Sequence, residues 1–339
     1  MFCLGIESTA HTFACSIVRY SFSRNTLAGK IISDIRDAYI PCKGSGIHPR
    51  DASRHHCEVA ERVFKDCLSS AKISMREIDI IAYSAGPGLG PCLRVGAVVA
   101  RTLAAFHNKP IIPTNHGIGH VELGRMISGA KDPLVLLVSG GHTVILAFSE
   151  KRWRIFGETL DITVGQMFDQ FGRSLGLASP CGRSIELLGE GATGNYRFLP
   201  YTVKGNDVSF SGLLTSAIRS VHDKKKELSS GEISYSLQET AFAMITEAVE
   251  RALSLTLRSE FLVVGGVAAN NRLREMLREA CKRHKSKFYQ CPVEFAGDNG
   301  AQIAWAGILE YTGNGKHVPV EKASVNQSWR INEVEVIKT

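Results

Sequence analysis

The sequence predicts an α/β protein built in two halves, and three observations carry that reading. Short apolar runs of strand length alternate with longer segments whose apolar residues recur at helical spacing. A strand, small-residue turn, strand pattern opens the chain and restarts near residue 134. Glycine-rich turns stand where strands hand over to turns or helices. With 339 residues the chain is long enough for two domains of ordinary size. Hydrophobic residues make up 44%, as in a soluble globular protein, and no apolar run is long enough to span a bilayer.

The first half reads as strands over 3–7, 12–18 and 29–35, with Ser8-Thr9-Ala10-His11 as a tight connection between the first two. Residues 51–71 carry Val59, Ala60, Val63, Phe64 and Cys67 at helical spacing. A buried strand over 78–83 leads through Gly86-Pro87-Gly88-Leu89-Gly90-Pro91 into a helix over 93–106. A short strand over 110–114 ends at a histidine pair. The second half opens with five uninterrupted apolar residues over 134–138, the turn Ser139-Gly140-Gly141-His142-Thr143, and a strand over 144–148. Long helices follow over 212–226 and 232–257. Next come a strand over 261–264, the Gly265-Gly266 turn and a helix to about residue 285. A last helix spans 301–311. The remainder is polar and poorly periodic, and is expected to be a tail or linker.

The first five N-terminal residues carry no basic charge and Glu7 follows closely, so no signal peptide is expected there. Nine dispersed cysteines without a CxxC spacing point to free thiols in a reducing cytosol and to no zinc ribbon. The formal charge of +7 is compatible with an anionic partner. Lys224-Lys225-Lys226 and Lys282-Arg283-His284-Lys285 are basic clusters that fit either the phosphates of an anionic partner or solvated helix ends.

The strongest chemical signal is His116 and His120. Four residues apart on a helix, both imidazoles share one face and can grip one metal ion, or they are surface or capping histidines. Gly117 stands where a zinc protease would carry its glutamate, so a built-in general base is missing. The three small-residue turns, 8–11, 139–143 and 265–266, suit an anion approached by backbone N–H groups. Neither a GxxxxGK[ST] loop nor a leading GxGxxG turn is present.

Six motifs occur in order: Gly5-Ile6-Glu7-Ser8-Thr9-Ala10-His11-Thr12, Ser84-Ala85-Gly86-Pro87-Gly88-Leu89, Asn115-His116 with His120, Val138-Ser139-Gly140-Gly141, Gly265-Gly266-Val267-Ala268-Ala269-Asn270, and Asp298-Asn299-Gly300-Ala301. Together, over about residues 1–315, they resemble the tRNA threonylcarbamoyladenosine transferases, formerly described as O-sialoglycoprotein endopeptidases. The form around the histidine pair is closer to the archaeal and eukaryotic branch, the catalytic subunit of KEOPS. The resemblance implies an actin-like (ASKHA) fold of two RNase-H-like domains with a nucleotide in the cleft between them. One domain would span 1–132, completed by a C-terminal helix over 298–315. The other would span 133–297 with helical insertions, and 316–339 would be the tail.

The resemblance also implies a third metal ligand, Asp298, which taken alone reads as a helix cap. It implies one divalent metal per chain, with iron(II) placed ahead of zinc. Substrate and nucleotide contacts would come from Leu137, Val138, Ser139, Gly140, Gly141, Asp169, Gly182, Glu186 and Asn270. Asp169 and Glu186 also fit exposed helix acids, and Asn270 a helix cap. The implied reaction moves a threonylcarbamoyl group from threonylcarbamoyl-AMP to tRNA, in the cytoplasm. The implied partners are tRNA and the KEOPS subunits, including a small kinase to which archaeal relatives are fused. Departures are Ser8 in place of a usual glycine, Leu137 where some relatives have a tyrosine ligand, and Cys181-Gly182-Arg183-Ser184 in the Gly182 region. An actin-like ATPase or sugar kinase, a metallopeptidase and a nucleic-acid-binding scaffold are the competing readings.

Overall fold

A computed structural model describes residues 1–339 except 24–25, 193–195, 224–227, 316 and 338–339. The Lys224-Lys225-Lys226 cluster lies outside the described residues. Strands β1 (Phe2–Glu7), β2 (Thr12–Ser23) and β3 (Thr26–Ala38) form an antiparallel meander. Helix α1 (Pro49–Ala71), strand β4 (Ile80–Gly86), helix α2 (Gly90–His107) and strand β5 (Ile111–Asn115) follow, and β4 and β5 join β1 in parallel. The sheet order is β3-β2-β1-β4-β5.

Helix α3 (His116–Ser128) leads to a second meander, β6 (Leu134–Val138), β7 (Thr143–Ser149) and β8 (Arg152–Glu158). Helices α4 (Val164–Ser174) and α5 (Gly182–Glu190), a small ribbon of β9 (Val203–Lys204) and β10 (Asp207–Val208), and helices α6 (Ser211–Val221) and α7 (Ser230–Thr256) intervene. Strand β11 (Glu260–Val264), helix α8 (Asn271–Arg283) and strand β12 (Lys287–Gln290) complete a sheet ordered β12-β11-β6-β7-β8. Read from its meander outwards, this sheet has the same plan as the first. The pattern that restarts at residue 134 is thus the same supersecondary unit used twice. A four-residue helix α9 (Val293–Ala296) leads to α10 (Gly300–Asn314), which packs back on β1 and β2.

Burial explains why these segments form. β4 and β6 are buried at every position, as strands inside a covered sheet must be. α7 starts with a capping box in which Ser229 Oγ accepts from Glu232 N while Glu232 holds the Ser229 backbone N–H. The close seating of α10 depends on glycine. A Cβ on Gly5 would overlap the Gly300 carbonyl oxygen and the Ala304 nitrogen, and one on Gly300 would strike Ser16 N.

The structure corrects several expectations. The helix read over 212–226 ends at Val221. Asp161 precedes α4 and accepts from Ser209 Oγ at 2.6 Å and Phe210 N at 2.9 Å, and the helix begins at Val164 with Thr163 as its cap. The segment expected to be a tail or linker is packed. Val318 N donates to the Ile111 carbonyl at 3.1 Å, Asn326 N to Ala85 at 2.7 Å, and Val336 N to Lys151 at 2.7 Å. Ala323, Ile331 and Val336 are buried. Residues 317–337 therefore form a strap from the β4–β5 side of the first sheet to β8 of the second. Its apolar residues sit where irregular backbone meets a neighbour, so no periodicity announces them. No helix of the described residues is long and apolar enough to cross a membrane.

Candidate metal and nucleotide site

The site lies where α3 wedges between the two sheets. Asn115, the last residue of β5, caps α3 by accepting from Ile118 N at 3.2 Å, and its amide donates to the Trp329 carbonyl of the strap at 3.1 Å. This cap sets His116 at the first helical position and His120 one turn on. Their rings meet edge to face at 4.6 Å, and both are buried.

Asp298 approaches from the loop before α10. Its Oδ1 lies 3.5 Å from His116 Nε2 and 3.3 Å from His120 Nε2. One ligand atom from each of the three residues falls within 4.8 Å of the others. The cap of α10 is Asn299, which accepts from Gln302 N at 2.8 Å. Asp298 is thereby free of capping, which removes the alternative its position in the sequence left open. His120 Nε2 is buried with no hydrogen-bond partner among the described residues. An orphaned imidazole nitrogen facing a carboxylate and a second imidazole fits a divalent cation, and two nitrogens and one oxygen leave coordination positions for substrate.

Glu7, fully buried at the end of β1, holds the cluster in place. Its Oε2 is 2.9 Å from His116 Nδ1, and its Oε1 accepts from Thr9 N at 2.6 Å. A carboxylate at Nδ1 keeps the proton there and leaves Nε2 bare for a metal. Burial opposes charge on His116, but Glu7 and Asp298 outweigh it and lift its pKa to about 9. Burial lowers His120 even though the Asp298 carboxylate lies 3.3 Å from its Nε2. Burial opposes the Asp298 charge too, yet the imidazoles hold that carboxyl well below the usual range.

A pH effect follows. Below about pH 9 a metal must displace the His116 proton, so zinc affinity of the metal-free chain is expected to rise about tenfold per pH unit up to that point. Chelator competition across pH 6.5–9 measures it, and a flat profile contradicts the arrangement. The same shift gives the metal-free fold a stabilising contribution complete below about pH 6.5 and lost as pH rises through about 9.

The turn after β6 lies beside the cluster. Ser139 Oγ accepts from Gly141 N at 3.2 Å and His142 N at 3.1 Å, so the turn is ordered. The His142 ring stacks on His116 at 6.2 Å and its Nδ1 is buried without a partner among the described residues. Gly140 and Gly141 have nothing near their absent Cβ positions, which leaves backbone open to a ligand. Leu137 and Val138 are fully buried; Leu137 packs with Ile118 and Val144.

The remaining candidates form a second group. Asp169 Oδ1 accepts from Cys181 N at 2.6 Å at the start of α5, and burial raises its pKa. Gly182 opens that helix with free space at its Cβ. Glu186 is buried and is no exposed acid: it accepts from Asn271 N at 2.8 Å and from Arg183 at 2.7 Å. Asn270 caps α8 through Arg272 N and Leu273 N, and its amide donates to Gln238 at 2.9 Å. Gly265 takes φ +96° against the Val138 carbonyl, bringing this turn onto the end of β6. The sequence placed Glu7 in the first motif without a role at the metal, and His142 in the turn after the 134–138 strand without a role.

Two matching domains with paired turns beside a His-His-Asp cluster define a protein of actin-like fold with a candidate metal centre. The chain belongs to the family described as tRNA N6-adenosine threonylcarbamoyltransferase (TsaD), whose model matches residues 28–305. The Staphylothermus marinus protein of that name is 48% identical over 340 residues, covering 98% of each chain. A bifunctional tRNA threonylcarbamoyladenosine biosynthesis protein of Methanothermobacter thermautotrophicus is 48% identical over 99% of this chain and 60% of its own length. HypF of T. kodakarensis, at 12% identity, shares the fold with a TM-score of 0.64 over 93% of this chain and 48% of its own.

Proposed function

We propose that the chain transfers the threonylcarbamoyl group of threonylcarbamoyl-AMP to the N6 amine of the adenosine next to the anticodon, in tRNAs reading codons that begin with A, and releases AMP. The observation that carries this reading is the His116, His120 and Asp298 cluster set against the open Ser139-Gly140-Gly141 turn. The cleft lies between a domain of residues 1–132, closed by 298–315, and a domain of residues 133–297.

The target amine is a weak nucleophile because its lone pair is delocalised into the ring, so the acyl donor must be activated and well placed. The Ser139-Gly140-Gly141 turn holds the AMP moiety, with the Gly140 N–H as its donor to the phosphate, since the Ser139 N–H is taken by the His142 carbonyl and the Gly141 N–H by Ser139 Oγ. The end of β6 at Leu137 and Val138 shapes the floor, and Asp169, Gly182, Glu186 and Asn270 line the nucleoside side. His116, His120 and Asp298 would hold one divalent metal, iron(II) ahead of zinc, which would supply charge to polarise the donor. The target adenine must leave the anticodon-loop stack to reach the cleft. The chain works in the cytoplasm with KEOPS subunits, among them a small kinase; the bifunctional Methanothermobacter relative supports such a pairing.

Two alternatives lose support in the geometry. An actin-like ATPase needs a free acid in its first turn, whereas both Glu7 oxygens are engaged by His116 and Thr9 N. A metallopeptidase needs a general base beside the metal. Glu122, the acid nearest in sequence, is held by Trp153 Nε1 at 2.8 Å and Arg125 at 2.6 Å.

The test is a reaction with tRNA, threonine, bicarbonate, ATP and the adenylate-forming enzyme, read by nucleoside mass spectrometry. Threonylcarbamoyladenosine is expected only when this chain is present. Product without it, or none with it and the partner subunits, overturns the reading.

A further inference from the structure

A short segment crosses from the first domain to the second at the edge of the cleft. After β3 the chain runs through Pro41-Cys42-Lys43-Gly44-Ser45-Gly46-Ile47-His48 into α1. Gly44 N donates to the Leu177 carbonyl at 3.1 Å, just beyond α4. Gly46 lies against the Arg173 guanidinium, 3.4 Å from where its Cβ would be. Ser45 Oγ closes the turn onto the Cys42 carbonyl at 2.7 Å. Arg173 stands one helical turn beyond Asp169, and its charge acts on that carboxyl. The crossing therefore overhangs the end of the cleft that Asp169 lines.

This crossing is basic. Lys43, Arg50 and Arg54 are exposed, and Asp51 is the one acid among residues 42–54. Among the described residues Lys43 and Arg50 make no ion pair, while Arg54 reaches Glu58 only at 3.9 Å with both side chains well exposed. Pro49 starts α1, so Arg50 and Arg54 follow one turn apart on the same face. Lys43 thus stands on the crossing and Arg50 and Arg54 on the first turns of the helix that follows it, while Arg173 of α4 lies against Gly46 of the same crossing. Their spacing along an exposed ridge suits a polyanion strand better than a compact anion, which would need converging donors.

We propose that Lys43, Arg50 and Arg54 form a rail for the sugar-phosphate backbone of the RNA whose adenine enters the cleft. The inference rests on the transferase reading above and adds the surface that grips the substrate. Phosphate contacts give affinity and register without reading sequence, so the rail serves every tRNA the site accepts. A flipped base leaves its flanking phosphates outside the pocket, where these side chains reach them.

The experiment uses the full chain with the triple variant Lys43→Glu, Arg50→Glu and Arg54→Glu, and a neutral counterpart with alanine at all three positions. Affinity for tRNA is measured across a salt series. Each lost phosphate contact lowers the salt slope by about 0.7 to 0.9, so the slope should flatten by roughly 2. Affinity at low salt should fall by about tenfold or more in the charge-reversed variant, and by less in the alanine variant. Nucleotide binding, metal content and thermal midpoint should match the parent chain. Unchanged affinity and slope in both variants overturn the rail. So does loss of accessory-subunit binding with tRNA affinity intact, which would make the ridge a protein interface. A parent chain that makes no threonylcarbamoyladenosine overturns the transferase reading itself, a result distinct from either.

Discussion

Alanine at both His116 and His120 is expected to abolish threonylcarbamoyl transfer, by about a thousandfold or more, while the chain keeps its secondary structure. The two residues contribute two of the three ligand atoms that converge within 4.8 Å, so the double variant should also lose its metal. Their removal leaves Asp298 and Glu7 without the imidazoles that face them. Buried charge stripped of its partner typically costs about 3–5 kcal/mol, so some loss of stability should accompany the loss of activity. The single variant His120→Ala separates the effects, because it keeps the Glu7–His116 contact at 2.9 Å. It should retain most of the fold's stability and still fail to hold metal. Metal analysis, circular dichroism and the transfer assay read the three quantities independently. A double variant with full activity contradicts the metal assignment.

Gly5→Ala should be among the most damaging small substitutions in the chain. The new methyl group would overlap the Gly300 carbonyl and the Ala304 nitrogen, which are backbone atoms of α10 and cannot swing aside. Overpacking of this kind costs about 1–3 kcal/mol, and more where backbone must move. The effect should also reach the site, because α10 follows directly on Asp298. Lifting the helix off β1 draws that carboxylate away from His116 and His120, so metal affinity should fall with stability. Gly212→Ala is the control: it sits in α6 with nothing near its Cβ position, and should be neutral or stabilising by about 0.5–1 kcal/mol. Thermal melts and metal titration of both variants check the pair. Equal behaviour would show that α10 tolerates displacement.

How much of this was legible in the sequence depended on burial. The run at 134–138 emerged residue for residue as β6, because a strand covered on both faces must be apolar throughout. β8 and β12 escaped notice because they are edge strands: Arg152-Trp153-Arg154 and Lys287 carry the charges that guard an edge, and these mask the strand pattern. The strap was hidden for another reason: its anchors Ala323, Ile331 and Val336 follow no period. At the site, the His116 and His120 spacing was readable because one helix carries both. Glu7 was not, since 109 residues separate it from the imidazole it holds and only the packing of β1 beside β4 and β5 brings them together. Asp298 stood between cap and ligand until Asn299 was seen to take the cap.

His116, His120 and Asp298 are expected to hold a metal needed for acyl transfer to tRNA. The most direct measurement supplies purified threonylcarbamoyl-AMP and tRNA to the chain stripped of metal, then to the same chain after iron(II) is restored, with the partner subunits present in both. Modified adenosine and AMP should form in equal amounts only after restoration. Full transfer by the stripped chain would contradict the account.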